Sequence, residues 1–140
     1  MFTEIKGKLY FGHPVNVYNT PDEKRLCEII SREFPNAELE NPNSLVHDEG
    51  YKKWKQEKGS GMKYFFEEVL PQMNAGIFLP FEDGLFGAGV YGEAEHLNKG
   101  LGKLVFEISL EGKINIMTLD ISRMLSVEET RKRVYGSGKK

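Results

Sequence analysis

A chain of 140 residues, 39% hydrophobic and 29% charged, has the size and make-up of one soluble domain with a core of two or three packed layers. Its formal charge of −2 excludes the basic surface that nucleic acids or anionic membranes demand, and leaves a small molecule as the expected partner. Cys27 is the sole cysteine, which excludes an internal disulfide and predicts a buried thiol in a reducing compartment.

Residues 1–8 hold no apolar run of signal-peptide length and no later stretch reaches membrane-spanning length, so the expected location is cytoplasmic. Residues 8–12, Lys-Leu-Tyr-Phe-Gly, read as a first strand that delivers Tyr10, Gly12 and His13 to one sheet edge. Thr20-Pro-Asp-Glu opens a helix, with Thr20 as cap, Pro21 in the first position and Glu23 three residues on. Leu26, Ile30 and Phe34 form its apolar stripe. A short strand over 37–40 ends in the turn cluster Asn41-Pro-Asn-Ser.

Residues 41–61 turn polar and charged. They read as a long excursion with one or two helical turns around 51–57, of the kind that serves as a lid or a partner contact, or stays disordered. Trp54 favours the first two, because an indole buries its ring against something. Met62, Phe65, Phe66, Val69, Leu70 and Met73 keep helical spacing, which Pro71 ends or kinks.

The pattern continues with a strand over 74–79, a glycine-rich loop, a helix over 90–99 and a strand over 104–109. The turn Leu110-Glu-Gly-Lys leads into an antiparallel edge strand over 114–119. Ser126-Val-Glu-Glu opens a last helix to Tyr135, and 136–140 read as a frayed, disordered tail. Strands alternating with helices predict one α/β domain over 1–135. It is a three-layer sandwich with a mostly parallel, flavodoxin- or Rossmann-like sheet and an antiparallel edge strand.

The stretch 77–105 organises the rest. An apolar strand ends at Pro80, an acidic loop follows, glycines at 84, 87 and 89 permit positive φ, and a helix carries Glu93 in its first turns. In open α/β sheets, ligands bind beyond the carboxyl ends of the strands, so this loop belongs to the expected site. Gly87-Ala-Gly-Val-Tyr-Gly spells G-x-G-x-x-G and Glu107 lies twenty residues after Gly87, which imitates a dinucleotide fingerprint. That fingerprint needs its first glycine at the strand end. Here residues 80–86 intervene, and Glu82, Asp83 and Glu93 would oppose a pyrophosphate.

Several short pieces, in one order, carry a resemblance. They are Tyr10-Phe-Gly, Glu38-Leu-Glu-Asn-Pro-Asn-Ser, Phe78-Leu-Pro-Phe-Glu-Asp, Gly89-Val-Tyr-Gly-Glu-Ala, Gly102-Lys-Leu-Val and Gly112-Lys-Ile-Asn-Ile-Met. Across residues 8–118 the chain resembles the nucleoside 2-deoxyribosyltransferase family. The resemblance implies a glutamate nucleophile at Glu93, held by the strand tyrosine Tyr10, acting on a nucleoside or nucleotide without a cofactor. It also implies self-association, because family members share sites across subunits. Where the family has an acid before the feeding strand and another six residues ahead of the nucleophile, this chain has Gln72 or Asn74, and Gly87. The family's C-terminal segment is not recognisable after Met117.

The chemistry fits those positions. Cleaving an N-glycosidic bond passes through an oxocarbenium-like state, which a carboxylate beneath the sugar stabilises and then captures as a glycosyl ester. A helix N-terminus favours an ionised Glu93. Asp83 or Glu82 is the nearest acid in sequence for the leaving base, and His13 is placed to bind a sugar hydroxyl, a phosphate or the base. Gly12, Gly87 and Gly89 are expected to bring backbone close to the substrate. His13, His47 and His96 lack zinc-ligand spacing, so no metal site is expected. Sugar transfer to a second base, hydrolysis, and binding without turnover all stay open.

Overall fold

The computed structural model describes residues 1–136. Five strands form one sheet in the order β2-β1-β3-β4-β5, with β1 Gly7–Gly12, β2 Ala37–Glu40, β3 Ala75–Phe78, β4 Leu104–Ile108 and β5 Ile114–Ile116. The first four are parallel and β5 runs antiparallel beside β4. This is the expected Rossmann-like α/β sandwich. The final four residues of the expected tail, 137–140, lie outside the described residues.

The side-chain alternation of the strands splits the core into two layers. Leu9, Phe11, Ala75, Ile77, Phe106 and Ile108 face helix α1, Pro21–Glu33, and meet its buried stripe of Leu26, Ile30 and Phe34. Phe2 completes that layer by stacking on Phe34 at 4.7 Å. Tyr10, Phe78 and Val105 face the other way, against α3, Met62–Tyr64, and α4, Ala88–Glu95. Both of these helices continue as wider π turns, Phe65–Val69 after α3 and His96–Gly100 after α4. A final 3-10 turn, Leu70–Gln72, contains Pro71 and ends the α3 run, as the proline predicts.

Caps fall where the sequence places them. Thr20 Oγ1 accepts from the Glu23 N–H, and Ser126 Oγ from the Glu129 N–H at the start of α5, Val127–Tyr135. Residues 41–61 depart from expectation: they form a 14-residue helix α2, Leu45–Lys58, capped by Ser44 and ended by Gly59 at φ +78°. Cys27 is half-buried rather than fully buried, and burial pushes its thiol up to about 11. Among the described residues no helix is long and apolar enough to cross a membrane.

Candidate functional site

The strand order reverses direction at β1. The chain runs from β1 outward to β2, then returns past β1 to β3, and the loops after these strands diverge at that point. A cavity of about 790 Å³ opens there. Its walls come from the segment after β1, the N-terminal half of α2, the start of α3, and α4. That volume suits a nucleoside-sized ligand.

Glu93 sits at the base of the cavity, 8% exposed. On α4 the positions 89, 90 and 93 share the cavity face, whereas Tyr91 and Ala94, with Leu97 in the π turn that follows, enter the core. The inward alternation of β1 turns Tyr10 to the same place, and its hydroxyl donates to Glu93 Oε2 at 3.0 Å. Among the described residues Oε1 accepts no hydrogen bond, so one carboxyl oxygen is held and the other is left for a ligand. Gly12 makes this approach possible: a Cβ there would lie 2.5 Å from the Phe78 ring and 3.2 Å from Glu93 Oε1.

The electrostatics differ from the expectation of an ionised glutamate at a helix start. Glu93 is the sixth residue of α4, beyond the turn where the helix dipole acts, and its carboxyl is buried. Desolvation pushes its pKa up to about 8, against the Tyr10 hydrogen bond that pulls it down. At neutral pH the carboxyl is therefore mainly protonated. Burial and the neighbouring Glu93 hold the Tyr10 phenol well above its ordinary value, so it stays a donor.

His13 lines the cavity, but both its ring nitrogens are committed elsewhere. Nδ1 lies 2.9 Å from the Phe11 carbonyl oxygen and Nε2 lies 2.8 Å from Glu23 Oε2. Each nitrogen faces an oxygen acceptor, so the full set of bonds needs both ring protons; burial works against that charge and holds the His13 pKa below its ordinary value. Neither nitrogen is left for a sugar or a phosphate, which corrects the expected binding role. The side chain of Glu23, three residues after the Thr20 cap, is taken up by other partners. It accepts from the Asn19 N–H at 2.9 Å and from Asn43 Nδ2 at 3.0 Å, tying the loop after β1 to the loop after β2.

The acids of the glycine-rich loop are not in this cavity. Asp83 pairs with Arg133 of α5 at 2.8 Å, and Glu82 and Asp83 line a separate cleft of about 600 Å³. The hydrogen bond from Arg133 holds the Asp83 carboxyl below its usual range, which makes it a poor proton donor as well as a distant one. Gly87 is the N-cap of α4 and packs toward Thr130, away from the cavity, whereas Gly89 does line it. Of the three glycines expected to permit positive φ, Gly84 alone adopts it, at +85°.

The dinucleotide fingerprint is also absent in space. Residues 79–87 separate β3 from α4, and Glu107 is held by Arg123 at 2.8 Å. Sequence reasoning missed the α2 contribution, chiefly His47 and Asp48. His47 Nε2 lies 2.6 Å from Glu40 Oε2 and Nδ1 lies 2.7 Å from the Tyr64 hydroxyl. The signals available for α2 were the Ser44 cap and Gly59 at its far end. Among the described residues no group of His, Cys, Asp and Glu is arranged to hold a metal ion.

Compared with known proteins, the chain matches no family model, no curated protein and no solved structure.

Proposed function

We propose that this protein cleaves the N-glycosidic bond of a 2′-deoxynucleoside or its monophosphate, with Glu93 as nucleophile, in the manner of the nucleoside 2-deoxyribosyltransferases it resembles. The observation that carries this reading is the half-tethered carboxyl: Tyr10 fixes Oε2 while Oε1 faces a cavity of nucleoside size. As positive charge develops on the sugar, the carboxylate form of Glu93 is favoured and its proton passes to solvent water. Oε1 then bonds to the anomeric carbon as the bond to the base breaks, and the base departs with a proton. Water or a second base releases the sugar.

Asp48, on α2, is the other carboxyl group lining the cavity; it pairs with Lys52 at 3.1 Å on its exposed side, and in its protonated form it is the acid we assign to the leaving base. Tyr18, Tyr51 and Phe65 supply aromatic faces for that base. No lysine or arginine lines the cavity among the described residues, which favours a nucleoside over its monophosphate. The same reading takes the protein as a cytoplasmic homo-oligomer that needs no cofactor.

One observation favours a second reading, a nucleotide-binding module without turnover. A carboxyl with a pKa of about 8 is a hydrogen-bond donor at neutral pH and can bind a sugar hydroxyl without attacking it. Release of free base from a panel of 2′-deoxynucleosides and their monophosphates, with and without an acceptor base, separates the two. Release by the wild type that is lost in Glu93→Ala supports the enzyme. Binding of a panel member without release supports the module.

A further inference from the structure

We propose that α2 is a hinged cover over the Glu93 cavity, latched in place by the Glu40–His47–Tyr64 hydrogen-bond chain. The inference rests on the reading that the cavity admits a small-molecule ligand. It starts from what α2 lacks. A surface helix normally docks through an apolar stripe, but the one buried residue of this 14-residue helix is His47. Its aliphatic residues Leu45 and Val46 are 74% and 71% exposed.

Polar bonds do the holding instead. The Glu40 carboxylate at the end of β2 accepts from Nε2–H of His47, and with the ring proton on that nitrogen the Tyr64 hydroxyl donates to Nδ1. One imidazole thus joins β2, α2 and α3. Apart from it, α2 rests on α3 and the π turn that continues it through tilted aromatic pairs, Tyr51 with Phe65 and Trp54 with Tyr64, each with ring centres 6.3 Å apart.

The two ends of the helix form unlike joints, one tethered and one loose. The N-terminal joint is the Asn41-Pro-Asn-Ser turn, steadied by the bonds from Asn43 to Glu23. The C-terminal joint is Gly59-Ser-Gly, in which Gly59 has φ +78° and nothing within 4 Å of where a Cβ would stand. Between the joints, His47, Asp48 and Tyr51 form one wall of the cavity whose base is Tyr10 and Glu93. Breaking two hydrogen bonds and parting the Tyr51–Phe65 and Trp54–Tyr64 contacts therefore frees a cavity wall while the buried residues of both core layers stay packed.

Backbone hydrogen exchange read by mass spectrometry tests this on the full chain without ligand. In the wild type, amides of α2 are expected to exchange through local opening, faster than those of β1, β3 and β4. Tyr64→Phe keeps the ring and removes the hydroxyl, and is expected to raise exchange across α2 about five- to tenfold while the strands stay as protected as before. Trp54, the only tryptophan, gives an independent readout: acrylamide is expected to quench it more readily in the variant. Exchange of α2 in the wild type only together with the strands would overturn the proposal, as would an equal rise in every element of Tyr64→Phe. Both readouts are taken without substrate, so inactivity toward deoxynucleosides bears on the reading of the site and not on the cover.

Discussion

The Tyr10 hydroxyl and Glu93 Oε2 meet at 3.0 Å across 83 residues of sequence, one group from the first strand and the other from the fourth helix. The bond fixes the carboxyl's rotation and opposes part of the desolvation that raises its pKa. Tyr10→Phe is therefore expected to lower the base-release rate about tenfold to a hundredfold at neutral pH. It is also expected to move the acidic limb of the pH–rate profile, which reports ionisation of the Glu93 nucleophile, to higher pH. A uniform drop at every pH would mean that the phenol does not act on the carboxyl.

The raised pKa of Glu93 has a consequence for stability. The folded protein keeps this proton up to a pH of about 8, whereas the unfolded chain loses it near 4.5, so between those values the folded state binds more protons and loses stability as pH rises. Glu93→Gln removes that ionisation. By about pH 9 the variant is expected to exceed the wild type by roughly 2–4 kcal/mol in urea unfolding, with the two converging at acid pH. Parallel curves at all pH values would show a carboxyl that ionises normally in the fold.

Gly12 is a packing requirement of the site. In Gly12→Ala the new methyl would strike the Phe78 ring and crowd Glu93 Oε1. A loss of roughly 1–3 kcal/mol in unfolding free energy is expected, together with a fall in activity larger than that in stability. Wild-type activity in a folded Gly12→Ala protein would place the reacting carboxyl elsewhere.

Two aspartates are expected to behave oppositely. Asp83 is tied to Arg133 outside the cavity, so Asp83→Asn should leave base release within about twofold of wild type, whereas Asp48 lines the cavity and Asp48→Asn should slow release about tenfold or more. Steady-state rates on one deoxynucleoside decide it. A large loss in Asp83→Asn alone would return the acid role to the glycine-rich loop.

Local signals carried much of the fold. The Thr20 and Ser126 caps, the stripe of Leu26, Ile30 and Phe34, and the alternation of strands with helices are short-range patterns, and the structure keeps them. Helix α2 was hidden because its inward residues are His47, Tyr51 and Trp54 while its aliphatic residues point outward, so no aliphatic stripe marks it. The site was half legible. Tyr10 and Glu93 stand in short motifs, but Asp83 looked like a site acid until Arg133, 50 residues away, was seen to claim it. Glu23, read only as the residue three after the Thr20 cap, is where the fold brings His13 and Asn43 together. Long-range polar pairing is not written in local spacing.

The most direct measurement is mass spectrometry of the protein quenched in acid during turnover of a 2′-deoxynucleoside, followed by peptide mapping. A deoxyribosyl adduct on the peptide that contains Glu93, absent from Glu93→Gln, is the predicted result. Continued base release by Glu93→Gln, or an adduct on another residue, would contradict the account.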